Sequence, residues 1–248
     1  MTSRTRNSCG VVLALVLLFC WGPAAFAGTV SAQLNDPPSS NVLDGIYVGP
    51  YNGTNLQTGG SMQMICDDFK DASDYKAATY TTNSFSTLGS TLWGSSLLRQ
   101  GDTMTQITAL YEQAGWLAIG MIHATGAQQG YYSYALWAVF DPTDVLSWLY
   151  NAHDWAACNA VFGNRSCTSS QAAPGSLLYS AEQNYMDGNY SNLMILTPNG
   201  CGINCPEQEF FVFVPEGGAP LLYLVLAGLA CFVAVCRSRR HNVVAGTA

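Results

Sequence analysis

Apolar positions recur along this chain with two different periods, and the change of period divides it. Residues 61–66 and 76–83 alternate or are β-branched, as are 193–197 and 209–214, which predicts strands. Between them Ile107, Leu110, Tyr111, Ala114, Leu117, Ala118 and Met121 recur at three- and four-residue steps, predicting one face of a helix. A second helix is predicted from about Gln129 to Phe140. Asp141-Pro142-Thr143-Asp144 then offers a cap, a proline at the first helical position and an acid in the first turn, opening a third helix through Trp148 and Leu149. Leu177, Leu178, Ala181 and Tyr185 mark a fourth. Strands, then helices, then strands predict a single α+β domain with terminal strands and a central helical segment. Residues 35–60 are rich in Pro, Gly and Asn and read as irregular loop. No internal repeat is visible.

Two apolar runs fit neither period. Val11 to Phe19 follows Arg4 and Arg6 and precedes Ala25-Phe26-Ala27, the small-x-small pattern of a signal peptide over 1–27, with cleavage expected after Ala27. A lipoprotein reading at Cys20 would want a small residue where Phe19 stands. Ala219 to Cys236 holds 18 residues without a charge, about 27 Å as a helix, which is long enough to span a bilayer once. Arg237, Arg239 and Arg240 follow as a membrane stop, predicting a C-terminal transmembrane helix over 219–236 and a cytoplasmic tail over 242–248. The segment 28–213 is then an extracytoplasmic domain, large enough for one core.

Charge narrows the partners. Between Gly28 and Gly218 only Lys70, Lys76, Arg99 and Arg165 stand against all 16 acids of the chain, a net charge of −12. That excludes a nucleic-acid surface and suits an extracellular protein kept soluble by its charge. The same segment keeps five cysteines, Cys66, Cys158, Cys167, Cys201 and Cys205, in an oxidising compartment. The short loops they bracket make Cys158–Cys167 and Cys201–Cys205 the economical disulfides and leave Cys66 single. Spacing alone does not fix that connectivity. No zinc pattern is present, and no cofactor or metal is expected.

Val214-Pro215-Glu216-Gly217-Gly218, the apolar run and the arginine cluster together resemble the PEP-CTERM tail of exported proteins in Gram-negative bacteria with exopolysaccharide systems. The commonest form has a second proline after the glutamate, where this chain has Gly217. The resemblance implies processing by signal peptidase and an exosortase-like membrane enzyme, transient or lasting membrane attachment, and a final place at the cell surface or in the matrix. A plain C-terminal anchor is the competing reading of the same residues.

A second resemblance lies inside the domain. Met64-Ile65-Cys66-Asp67-Asp68-Phe69 closes an expected strand, and Ala135-Leu136-Trp137 lies in an expected helix. Together they resemble the thioester domain of bacterial surface adhesins. In that family the cysteine after the strand condenses with a glutamine four residues before the helical tryptophan, losing ammonia and leaving an electrophile that captures surface amines or hydroxyls. Here that position is Ser133, which has no carboxamide, so a bond at this pair cannot form. A shifted bond from Cys66 to Gln129 is the alternative, with Gln129 eight residues before Trp137, about 80° around an ideal helix and two turns away.

Other readings of these residues stay in view. Asp67, Asp68, Asp71 and Asp74 form an acidic run that could hold Ca²⁺, or more simply be a solvated edge. Cys66 with His123 or His153 supplies the residue types of a cysteine hydrolase but no recognised motif. Tyr131, Tyr132, Tyr134 and Tyr150 with Trp137, Trp148 and Trp155 could stack on sugar rings, or pack as core. Three Asn-x-Ser/Thr matches, at Asn52, Asn164 and Asn189, carry little weight in such a bacterium. The reading that absorbs most of the sequence is a non-enzymatic, exported surface or matrix protein, binding polysaccharide or another envelope component non-covalently.

Overall fold

The structure, a computed structural model, describes residues 28–35, 42–69, 76–199 and 208–214. It is an α+β fold built around a closed barrel of six strands: β1 (Thr29–Leu34), β4 (Tyr51–Asn55), β5 (Ser61–Cys66), β6 (Ala78–Asn83), β7 (Leu193–Pro198) and β8 (Phe210–Phe213). Their order around the barrel is β1-β4-β5-β8-β7-β6, and every neighbouring pair is antiparallel. A separate two-stranded hairpin joins β2 (Val42–Leu43) to β3 (Ile46–Tyr47). Six helices connect β6 to β7: α1 (Leu92–Gln100), α2 (Met104–His123), α3 (Ala127–Phe140), α4 (Pro142–Ala152), α5 (Trp155–Phe162) and α6 (Leu177–Asn184).

This corrects the sequence-based layout in two ways. The terminal strands do not merely flank the helices. They close on themselves, and two barrel strands, β1 and β4, come from stretches not read as strand, β4 from within the supposed irregular loop. Nor does the expected membrane helix belong to the fold described, since among the described residues no helix is long and apolar enough to cross a membrane. Residues 219–236, where that helix was expected, lie outside the described residues. So do the 1–27 leader, Pro215 to Gly218, the three arginines, Cys201 and Cys205.

Strand alternation explains why one sheet serves two cores. Side chains on a strand point alternately to opposite faces. Val30, Ala32, Tyr51, Met64, Tyr80 and Phe210 turn inward and fill the barrel. Ile65, Ile195 and Phe211 turn outward from β5, β7 and β8 and pack on the helices. Burying both faces of those three strands is why their sequences read as continuous apolar runs rather than clean alternation.

The helices are set by their caps. Thr103 and Gln106 form a reciprocal capping box at the start of α2, and Thr91, Asp141, Asp154 and Ser176 each accept a backbone N–H at the start of α1, α4, α5 and α6. Ile107, Tyr111, Ala114, Leu117, Ala118 and Met121 of α2 are fully buried, and α3 packs along them. Cys158 of α5 is bonded to Cys167 in the following loop, with Cα atoms 5.5 Å apart.

Candidate functional site

Cys66 ends β5 with its side chain in the barrel core, on the face turned away from the helices. Its thiol donates to the carbonyl of Asp68 at 2.9 Å and accepts the Asp68 N–H at 3.3 Å. The helical layer reaches it through Trp137, whose Nε1 donates to the Cys66 carbonyl at 2.9 Å and also lies against the thiol. Burial, followed by the charges of Asp67 and Asp68, pushes the thiol well above its usual range. A buried, protonated thiol is a poor nucleophile.

Of the other residues that sequence placed beside it, Ser133 and Gln129, neither hydrogen-bonds the thiol. Ser133 accepts the Gly49 N–H at 3.1 Å, and its own proton faces the carbonyls of Gln129, at 3.3 Å, and Gly49. It ties α3 to the start of β4. Gln129 lines a cavity of about 370 Å³ with Val42, Leu43 and Val48. A different carboxamide shares the acceptor of the thiol: Gln208 Nε2 donates to the same Asp68 carbonyl at 3.2 Å. His123 and His153 are both exposed and neither bonds to the thiol.

One residue along the strand, the opposite face holds a carboxyl cluster. Asp67 and Asp68 are 0% and 2% exposed, so neither belongs to a solvated acidic edge. Asp71 and Asp74 lie outside the described residues. Asp67 meets the carboxyl of Glu209, itself fully buried, and among the described residues only its own backbone N–H lies toward its oxygens. Glu209 is surrounded by donors: Tyr111 at 2.6 Å, Thr197 at 2.6 Å and the N–H of Leu92 at the start of α1 at 2.8 Å. Asn83 Nδ2 donates in turn to Thr197 at 2.9 Å. Two buried carboxylates in contact cannot both stay ionised, so one proton joins them. Burial first, and then the Glu209 charge, raises Asp67 well above the carboxylate range, while its donors offset the rise at Glu209. Asp67 is therefore the acid and Glu209 the carboxylate. Strands β5, β7 and β8 and helices α1 and α2 all meet at this pair.

The aromatic segment divides between core and surface. Tyr134 and Trp137 are buried, whereas Trp148, Tyr150 and Trp155 are 39%, 54% and 40% exposed. Tyr150 and Trp155 meet edge to face at 6.0 Å, and the His153 ring lies 5.6 Å from Trp155. Beside them is a second carboxyl pair. Asp44, in the β2–β3 turn, is hydrogen-bonded to Asp154, the cap of α5, and burial followed by the Asp154 charge raises it. Tyr134 donates from below, its hydroxyl 3.2 Å from Asp44 Oδ2 and 3.0 Å from the Leu43 carbonyl. Both carboxyls also raise the nearby Tyr131, behind its own desolvation.

No family model, no curated protein and no solved structure matches the chain. The geometry must therefore carry the functional reading by itself. Among the described residues, no group of three or more His, Cys, Asp or Glu is placed to hold a metal ion. Sequence reasoning missed Glu209, Gln208 and Asp44, since each finds its partner far along the chain. One local signal was available. Asp44-Gly45, at φ of 53° and 79°, is the Asp-Gly turn that marks a tight hairpin.

Proposed function

We propose that the chain is an exported, non-catalytic protein of the cell envelope whose domain binds a neutral polysaccharide non-covalently through the surface formed by Tyr150, Trp155, Asp44 and Asp154. The carrying observation is the exposed edge-to-face pair Tyr150 and Trp155 beside two hydrogen-bonded carboxyls. The π-face of an aromatic ring is electron-rich and receives the C–H face of a sugar ring, while carboxylate oxygens accept its hydroxyls. A net charge of −7 over the whole chain disfavours acidic polymers. The pair is too close for paired-carboxylate glycoside hydrolysis, which needs about 5 Å or more between the groups.

Export and sorting complete the proposal. The leader over 1–27 and the Val214 to Gly218 motif with Arg237, Arg239 and Arg240 support passage through signal peptidase and an exosortase-like enzyme to the surface or matrix. The buried thiol and Ser133 support a domain related in layout to thioester adhesins but without covalent capture.

Titrating the protein with neutral oligosaccharides released from its native envelope, and following tryptophan fluorescence, tests the binding surface. Trp155→Ala and Tyr150→Ala are each expected to weaken binding at least about tenfold, in line with the loss of one well-placed aromatic contact. Equal affinity in both variants would dismiss this surface. Intact mass of material from the envelope tests the rest. A deficit of about 17 Da abolished by Cys66→Ala would restore the thioester, and an uncleaved leader would dismiss export.

A further inference from the structure

The barrel is filled unevenly along its axis. At one end Tyr51, Tyr80 and Phe210 meet edge to face, with ring centres 6.0 and 6.5 Å apart, and seal the interior. At the other end the inward positions carry Val30, Met62, Met194, Leu196 and Val212, which are smaller or unbranched. Aliphatic chains and thioethers cannot fill the width that the aromatic layer spans. A cavity of about 720 Å³ remains, open at the mouth. That lies within the usual 300–1,000 Å³ of small-molecule sites, which are concave, mainly apolar and carry a few polar groups.

The chemistry of the lining is specific. Asn55, Thr58, Ser61, Gln63 and Asn192 stand around the rim, and among the described residues no charged side chain lines the cavity, although the chain is strongly acidic elsewhere. Amides and hydroxyls can both donate to and accept from a neutral polar group. An ionised group would lose its hydration there with no counter-charge to meet it. Met62 and Met194 bring flexible, polarisable side chains, which fit an irregular alkyl chain better than a rigid ring.

We propose that this mouth is a binding site for an uncharged single-chain amphiphile, with the alkyl chain among Val30, Met62, Met194 and Leu196 and the neutral head at the amide and hydroxyl rim. The site is on the barrel, whereas Trp155 and Asp44 belong to the helical layer and its flanking hairpin, so the two readings stand or fall separately.

The test uses the full chain and the neutral fluorophore N-phenyl-1-naphthylamine, displaced by decanol or by decanoate. The expected result is a saturable one-to-one fluorescence rise, reversed by decanol at a concentration at least about tenfold below that of decanoate. Met194→Trp and Ser61→Trp, at the wall and at the rim, each fill the mouth; whichever keeps the wild-type far-UV spectrum and melting point should lose the signal. Trp155→Ala should keep it. Absence of saturable binding, equal displacement by decanoate, or an unchanged signal in a folded mouth-filling variant overturns the proposal. So does photo-crosslinking from Gln63→p-benzoylphenylalanine that captures residues of the same chain beyond Val214, or a second copy, in place of the probe.

Discussion

At the scale of single residues, Asp67 is the group whose chemistry departs most from its sequence appearance. An aspartate followed by a second aspartate reads as solvated, yet its carboxyl is sealed against Glu209. Unfolded, it titrates near 3.8, and folded, it holds its proton to higher pH. The folded state then binds more protons than the unfolded state above pH 3.8, so this pair makes stability fall as pH rises through the window up to the folded value. The slope is at most about 1.4 kcal/mol per pH unit for one proton. Below the unfolded value both states are protonated and the dependence disappears. Asp67→Asn keeps a donor toward Glu209 without needing that proton. Unfolding free energies from denaturant titration should therefore match wild type near pH 4 and exceed it at pH 7.5 by about 1–3 kcal/mol. A variant that tracks wild type in parallel at both pH values would show that no proton joins the pair. Cys66, one residue away but on the other face, offers a second expectation at this scale. Its alkylation by iodoacetamide should be negligible in the folded protein and rapid only after denaturation; labelling faster than a free thiol under native conditions would instead mark an activated nucleophile.

At the scale of elements, helices were more legible than strands, for physical reasons that differ from case to case. The face Ile107 to Met121 on α2 repeats locally, and caps such as Thr103 and Asp141 act within a few residues, so both can be read without knowing the fold. Helix α1 was hidden by Gly94 and its serines. Gly94 is required because a Cβ there would collide with the Leu88 carbonyl and the Thr91 hydroxyl. Helix α5 is short, and only its Asp154 cap and Gly163 at φ 74° signal it. Barrel closure was illegible because β1 pairs with β4 and with β6, contacts that no local pattern encodes. The same holds for the candidate sites: Trp155 and Tyr150 were visible as aromatics, but their carboxyl partner Asp44 comes from a hairpin more than a hundred residues earlier. The disulfide between α5 and its following loop is a local device that sequence could propose and the structure pairs. Closing a separation of 9 residues limits the unfolded chain by about 2–3 kcal/mol in the loop-entropy picture. Replacing both Cys158 and Cys167 with serine should lower stability by about that amount without altering the far-UV spectrum. A loss near zero would mean that the α5 to α6 connection is already ordered without its crosslink.

At the scale of the whole molecule, barrel and helices are expected to unfold as one cooperative unit because they share a sheet. Ile65, Ile195 and Phe211 face the helical core while their neighbours Met64, Leu196 and Phe210 fill the barrel, so β5, β7 and β8 cannot separate without exposing both. Glu209 reinforces the seam, since its carboxylate receives Tyr111 of α2, the start of α1 and Thr197 of β7 at once. Far-UV circular dichroism, which sees all the backbone, and tryptophan fluorescence, which reports chiefly on the helical layer, should therefore lose signal at the same denaturant concentration. Glu209→Ala leaves two buried hydroxyls and one helix N–H without their acceptor, and is expected to destabilise by about 3–5 kcal/mol. Its two transitions should still coincide, because the shared apolar faces remain after the polar seam is cut. Glu209→Gln keeps an acceptor for part of that set and should fall between wild type and alanine. Two separated transitions in the wild-type protein would show that the layers fold independently and that the seam only decorates their contact. Separation appearing only in Glu209→Ala would place the coupling in the carboxylate rather than in the apolar faces of β5, β7 and β8.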